Sequence, residues 1–209
     1  MVSSKTKNAT IHDIYGFPLI ADYRRTKRSQ IRIVEDLTPE QAEWLSKEKD
    51  KIKQMNREWK ERIQGEFWAL NYGGDEKLSE DRLLLRDKLL AIAGEEVCLQ
   101  WNDPDTPNIC RHGQIWLGMP KRVKFMQGRP SQCHKNVCNL YEQNYKQHDV
   151  AIATGYALSA DGLWRCHSWL LHKTARTVKM IETTTPRAIY YGFVMSKDQA
   201  LEFVEKNIW

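Results

Sequence analysis

The sequence has no apolar run long enough to cross a bilayer, and its first residues, MVSSKTKNAT, lack the apolar stretch of a secretory signal. It also has no internal repeat and no low-complexity segment. These absences argue against a membrane protein and against a secreted one. We therefore predict a cytoplasmic protein that has no membrane partner.

Cysteine is sparse, and the five cysteines of this 209-residue chain are an odd number. This argues against a disulfide framework and leaves at least one free thiol. None of them forms the short Cys-x-x-Cys pair typical of zinc sites, although several have a histidine nearby. A helix would point Cys133 and Cys138 to different faces, and a strand would point Cys166 and His167 to opposite faces. We expect no metal and no other cofactor.

Acidic residues are missing from one segment: between Asp105 and Glu142 the chain has six basic side chains and no acidic one. The net charge is +5 and the isoelectric point is near 8.9. Such a segment is a solvated face, a surface for an acidic partner such as nucleic acid, or a source of positive charge that lowers the pKa of a thiol. No recognisable nucleic-acid motif accompanies it. Nucleic-acid binding, or an interaction role without catalysis, is the alternative to an enzymatic function.

Residues 1–101 are predicted to form a helical N-terminal region, which consists of an arm and a helical hairpin. The arm includes a short strand at Gln30–Val34. A capping box at Thr38 predicts the start of an amphipathic helix from Glu40 to about Glu66. After a glycine-containing break, Ser79 predicts the start of the second helix.

Residues 102–209 are predicted to form the catalytic core of an α+β fold. Proline and glycine favour loops up to Arg129, with one short strand at Gln114–Leu117, and a helix follows from Cys133 to Tyr145. The expected strands are Val150–Ser159, Leu163–His172, Val178–Thr184 and Ala188–Met195, followed by a capped C-terminal helix. An Asp-Gly turn joins the first two strands into an antiparallel hairpin. We expect the Cys-bearing helix to pack on a four-stranded, mainly antiparallel sheet, within one compact domain overall.

Cys133, His167 and Glu182 are the candidate catalytic residues. Cys133 opens its helix, where free N–H groups, the helix dipole and nearby basic residues favour a thiolate. His167 follows 34 residues later on a strand that can pass in front of the helix start, whereas the adjacent His134 points about 100° away. Strand alternation puts Glu182 on the apolar face of Val178–Glu182, where a carboxylate needs a partner such as His167.

Each of the three residues also has a structural interpretation. Cys133 could be a small buried apolar residue, His167 a structural histidine, and Glu182 an ion-pair partner of Arg165 or Lys179. The position of Cys133 at a helix start, the inward strand face of Glu182 and the basic residues around Cys133 agree with one another, so the three residues taken together predict catalysis.

The segment Gln127-Gly128-Arg129-Pro130-Ser131-Gln132-Cys133 resembles the papain-like cysteine peptidases, in which a Gln followed by Gly stands six residues before the nucleophile. The order of helix Cys, strand His and next-strand acid is similar also to transglutaminase-like proteins and arylamine N-acetyltransferases. The resemblance implies a papain-like core in which Gln127 helps to form the oxyanion hole. The predicted oxyanion- or substrate-binding set is completed by Gln132 and by two tryptophans that flank His167, Trp164 and Trp169.

The activity implied by this resemblance is acyl transfer through a thioester on the nucleophilic cysteine. We therefore expect a cysteine-dependent hydrolase or acyl transferase that acts on an amide or peptide bond of a peptide or protein substrate. Water as the acceptor would make it a peptidase, amidase or deamidase, and an amine would make it a transferase.

Overall fold

The computed structural model describes residues 38–62, 79–100 and 103–208. The predicted arm with its strand at Gln30–Val34, the break before Ser79 and the predicted end of the first helix near Glu66 lie outside these residues.

Five helices and seven strands form within the described residues. The helices are α1 (Pro39–Arg62), α2 (Glu80–Ile92), α3 (Thr106–His112), α4 (Cys133–Asn144) and α5 (Lys197–Asn207). The strands are β1 (Glu96–Cys98), β2 (Gln114–Leu117), β3 (Val123–Phe125), β4 (Val150–Leu158), β5 (Leu163–Lys173), β6 (Val178–Glu182) and β7 (Ile189–Val194). None of the described helices is both long and apolar enough to cross a membrane.

Three of the four predicted helix starts are confirmed by their caps. At α1, the Gln41 N–H donates to Thr38 Oγ1 (3.2 Å) and the Thr38 N–H donates to Gln41 Oε1 (2.9 Å). Ser79 caps α2 by accepting an N–H of the first turn, and Ser196 and Gln199 form a capping box at α5. Each cap satisfies N–H groups that have no acceptor within the helix, which stabilises a helix by about 1 kcal/mol.

The strands form one mixed sheet in the order β2-β7-β4-β5-β6-β3, and β1 pairs with β5 outside this path. The four predicted strands are the contiguous antiparallel part β7-β4-β5-β6. The expected four-stranded sheet is corrected to seven strands, because β2 adds an antiparallel edge while β1 and β3 add parallel pairs. With only three residues each, β1 and β3 are too short to show a strand period in the sequence.

One edge of β5 has an unpaired stretch, which we call the β5 gap. On the opposite edge, β4 pairs with β5 from Trp164 to His172. On the gap edge, β1 pairs with Leu163–Arg165 and β6 pairs with Leu170–Lys173. Among the described strands, none pairs with Cys166–Trp169 on this edge. Backbone N–H groups of the gap are therefore available to other groups.

The two sheet faces contribute to two apolar clusters. The larger cluster includes Val137 of α4, Leu89 of α2 and Val97 of β1, and the smaller one includes Trp169 and Tyr190 on the other face. Helix α4 packs on β5 and β4, and α5 packs on α4. Because α2 and β1 belong to the same core and sheet as the later elements, the core extends across the predicted division after residue 101.

Candidate active site

Cys133 is the first residue of α4, and the chain reaches it through a left-handed turn at Ser131 (φ 57°). No side chain caps this helix start, and no acidic residue stands in its first turn. The sulfur accepts hydrogen bonds from the backbone N–H groups of Ser168 and His134. Since the Ser168 N–H belongs to the β5 gap, the helix start and the open strand edge both direct positive dipoles at the sulfur.

His167 also lies in the β5 gap, where it is only 4% exposed. Its Nε2 lies 2.8 Å from Glu182 Oε2, which leaves Nδ1 for the hydrogen bond with the Cys133 thiol. The Trp169 ring is stacked near the imidazole, with centroids 6.3 Å apart and an interplanar angle of 19°. Tyr190 packs beside it with a centroid distance of 5.9 Å. These contacts hold the imidazole between the thiol and the carboxylate.

Glu182, at the end of β6, is fully buried and surrounded by hydrogen-bond donors. The Tyr190 hydroxyl donates to Oε2 (2.8 Å). The N–H groups of Thr183 (2.7 Å) and Thr184 (2.8 Å) and the Thr184 hydroxyl (3.1 Å) donate to Oε1. A buried carboxylate is costly unless it is paired and hydrogen-bonded, so these donors favour its ionised form beside His167.

The pKa shifts of the three groups all favour the charged form of each group. Burial would raise the pKa of the Cys133 thiol, but the hydrogen bond and charge of His167 and the backbone donors lower it below its ordinary value. Burial would lower the pKa of His167, yet its bonds to Cys133 and Glu182 raise it to about 9. Burial also opposes the lowering of the Glu182 pKa, but the bond to His167 prevails. At neutral pH these shifts favour a thiolate–imidazolium pair next to an ionised carboxylate.

The loop that precedes α4 is held at the site by β6. The Met126 N–H donates to Glu182 O (2.8 Å), and the Gly128 N–H donates to Thr183 O (2.7 Å). Gln127 stands between these two anchors, and its exposed side chain lines the cleft in front of Cys133. The backbone therefore fixes the position of Gln127 relative to the carboxylate strand.

Asn136, one turn after Cys133, holds the same loop from the helix side. Its Nδ2 donates to Arg129 O (2.8 Å), and its Oδ1 accepts the Arg129 N–H (3.1 Å). A Cβ on Gly128 would lie 2.5 Å from Asn136 Cγ, so only glycine fits there. The sequence predictions omit Asn136, although its three-residue spacing from Cys133 on a predicted helix is a signal for a shared face. They also omit Tyr190, because an aromatic residue in a buried strand resembles core.

A cleft of about 510 Å³ opens in front of Cys133 and His167. Besides Gln127, its walls include Arg165 and Arg187. A volume of this size is within the range of sites that bury a small molecule or a short peptide segment.

Three other predicted site residues do not line this cleft. Gln132 is exposed and precedes α4 without a side-chain cap bond. Trp164 is fully buried, and its Nε1–H donates to Ala93 O (2.7 Å). The inclusion of Trp164 in the predicted oxyanion- or substrate-binding set is therefore corrected, because strand alternation turns it to the face opposite His167. Trp169 shares the face of His167 but is fully buried, so it supports the imidazole from behind.

His134 and Cys166 form a second cysteine–histidine contact next to the first, with Cys166 Sγ 3.6 Å from His134 Nε2. His134 Nδ1 lies 2.7 Å from Ser168 Oγ, which itself donates to Thr154 Oγ1 (2.9 Å). Burial and the nearby charge on His167 lower the pKa of His134 to about 4. Burial raises the pKa of Cys166 well above its ordinary value. This pair is therefore neutral, in contrast to Cys133 and His167.

The basic segment contributes little to the candidate site. None of its six basic side chains lines the cleft, and four of them are exposed on the surface: Lys121, Arg122, Lys124 and Arg129. The lowered pKa of the Cys133 thiol is explained by His167 and the backbone donors. The interpretation that the basic segment activates the thiol is thus not needed.

Within the described part of the chain, no group of three or more His, Cys, Asp or Glu side chains is arranged to hold a metal ion. Comparison with protein-family models, with curated proteins and with solved structures found no match. What this site can do is therefore inferred from its own geometry.

Proposed function

We propose that the protein is a cysteine-dependent hydrolase or acyl transferase, with Cys133 as nucleophile, His167 as acid–base and Glu182 as the residue that orients the imidazole. The observation that carries this proposal is the continuous hydrogen-bonded chain from the thiol through the imidazole to a carboxylate that is 0% exposed. Such a chain raises the basicity of the imidazole and keeps it in one orientation.

The proposed reaction has two steps, each with a tetrahedral intermediate. The Cys133 thiolate attacks the carbonyl carbon of an amide, and the C–S bond forms as the carbonyl oxygen takes up negative charge. The C–N bond then breaks, and the leaving amine takes the proton of the His167 imidazolium. Water or a second amine next gives a proton to His167 and attacks the thioester. The C–S bond breaks, and the thiolate is regenerated.

The oxyanion of both intermediates needs donors that are already in place. We assign this role to the Gln127 side chain and the Cys133 backbone N–H. The first N–H groups of a helix have no acceptor within it, which makes that of Cys133 suitable. The bonds of Met126 and Gly128 to β6 support this assignment, because they fix the backbone on both sides of Gln127.

We extend the proposal to a papain-like arrangement and to a peptide or protein substrate. The supporting features are the cysteine at the helix start, the histidine on a strand and the carboxylate on the next strand. We also propose that the protein acts in the cytoplasm. None of the five cysteines forms a disulfide, as is usual in a reducing compartment.

The test is the rate at which iodoacetamide alkylates Cys133 as a function of pH, followed by mass spectrometry. In the wild type we expect rapid alkylation that persists below neutral pH, since the thiolate is already formed there. His167→Ala should lose this reactivity below pH 8 because the ion-pair partner is gone. The control is His172→Ala, which removes a partly exposed histidine from the same strand.

Cys98 provides an internal reference in every sample because it is also free and partly exposed. The proposal fails if Cys133 reacts only as an ordinary thiol with a pKa near 8.5, and if His167→Ala leaves its pH dependence unchanged.

A further inference from the structure

The cleft has a charge asymmetry that the proposed chemistry does not use. Arg165 and Arg187 both line it, and no aspartate or glutamate is among the described residues on its walls. An acyl-transfer reaction at Cys133 needs neither guanidinium. The two arginines are therefore candidates for substrate recognition.

Only one of the two guanidinium groups is in direct contact with a carboxylate, although the charge of Arg187 also helps to lower the pKa of Asp161. Arg165 binds Asp161 through both of its terminal nitrogens, at 2.7 and 2.6 Å, and this fork-to-carboxylate contact neutralises it. Arg187 instead donates from Nη1 to the neutral Ser159 hydroxyl (2.9 Å). Among the described residues, no carboxylate lies within 4.0 Å of the Arg187 guanidinium.

The backbone of Arg187 is tied to the candidate catalytic residues. Its N–H donates to the Tyr190 hydroxyl (3.0 Å), and that hydroxyl donates to Glu182 Oε2 (2.8 Å). On its other side, a Cβ at Gly118 would lie 1.8 Å from Arg187 O, so the chain beyond β2 packs directly on this residue. The end of β6 thus supplies the carboxylate, and the loop that follows it supplies the Arg187 guanidinium.

We infer that Arg187 binds a carboxylate of the substrate, so that the site selects peptides with an aspartate or glutamate next to the reacting carbonyl group. This inference rests on the proposed function of Cys133. A guanidinium presents a planar fork of N–H donors that matches a carboxylate, and it stays protonated at every working pH. Arg165 lines the same cleft, but its guanidinium is already bound to the Asp161 carboxylate.

The test uses matched peptidyl chloromethyl ketones that end in Glu or Gln, and in Asp or Asn. The Cys133 thiolate displaces chloride from these probes, and the resulting thioether is quantified by mass spectrometry. The wild type should react about tenfold faster with each acidic probe than with its amide partner, the size expected for one charge-assisted contact. Arg187→Gln should abolish this preference, and Arg187→Lys should keep part of it.

Two controls separate this inference from the proposed function. Arg176→Gln removes an equal charge from an exposed turn and should keep the tenfold preference. Alkylation by iodoacetamide, which is neutral, measures the reactivity of the Cys133 thiol itself in each variant, and every probe rate is divided by it. A wild type that reacts equally with acidic and amide probes, or a preference that survives in Arg187→Gln, overturns the inference while the nucleophile stands. Iodoacetamide rates that do not depend on His167 overturn both.

Discussion

Replacing Glu182 by glutamine removes one charge from the centre of the site at nearly constant shape. The amide oxygen can still accept the N–H groups of Thr183 and Thr184, which now bind Oε1 at 2.7 and 2.8 Å. The amide NH₂ then faces His167 Nε2 and the Tyr190 hydroxyl, both of which donate to the carboxylate in the wild type. Because an imidazolium cannot donate to an NH₂ group, His167 must stay neutral, and the thiolate loses its counter-ion.

The size of the effect follows from the contact that is lost. A hydrogen bond to a charged group contributes about 1.5–3 kcal/mol, so alkylation of Cys133 at pH 6.5 should slow by about 10- to 100-fold. The midpoint of its pH dependence should rise by about one to two pH units, since one unit corresponds to about 1.4 kcal/mol. Well above pH 9 the wild type and Glu182→Gln should converge, because the thiol then ionises without help.

The assay is iodoacetamide alkylation from pH 5 to pH 10, with circular dichroism to confirm the fold of each variant. Glu142→Gln is the matched control, since it removes an exposed carboxylate from the same α4 helix. A folded Glu182→Gln protein with the wild-type midpoint and the wild-type rate at pH 6.5 would refute the reasoning.

Three further changes test the surroundings of the site, each by urea unfolding. Tyr190→Phe removes the hydroxyl that donates to Glu182, and it should cost about 1–3 kcal/mol of unfolding free energy and slow Cys133 alkylation; an unchanged stability would contradict the contact. Asn136→Ala removes both hydrogen-bond partners of the Arg129 backbone, so it should lower the free energy of unfolding by a similar amount and speed amide hydrogen exchange in the loop before α4. Unchanged exchange would contradict the role of Asn136 in holding that loop. Burial and a neighbouring carboxylate raise the pKa of Asp105 to about 6. A carboxyl group whose pKa is raised in the folded state lowers the free energy of unfolding as the pH rises from about 4 to 6. Asp105→Asn should therefore stabilise the protein by about 2 kcal/mol more at pH 7.5 than at pH 3.5. An equal effect of the substitution at both pH values would contradict the raised pKa.

The sequence predicts the antiparallel part of the sheet well because its signals are local. The Asp-Gly turn before Leu163 and the alternating strands that follow determine pairing without help from distant residues. The same strand phase predicts that Glu182 faces inward, and the structure places it there, fully buried. The capping residues at Thr38, Ser79 and Ser196 likewise act within one helical turn.

The features that the sequence does not reveal depend on tertiary contacts. The strand Val123–Phe125 exists because it pairs with β6, and its own three residues carry no period. The face of Trp164, by contrast, follows from the sequence alone, because residues three positions apart on one strand, such as Trp164 and His167, point to opposite faces. Tyr190 contacts Glu182 only because β7 pairs with β4 and not with β6, the strand that precedes it in the sequence. No local sequence pattern encodes this pairing.

The β5 gap gives this protein an intrinsic spectroscopic reporter. The amide proton of Ser168 points at the Cys133 sulfur instead of a carbonyl oxygen of a neighbouring strand. Ionisation of the sulfur strengthens that hydrogen bond and should deshield the proton, so its nuclear magnetic resonance in ¹⁵N-labelled protein follows the charge of the thiol without any reagent. A short break in sheet pairing thereby makes the protonation state of the Cys133 sulfur readable from a single backbone position.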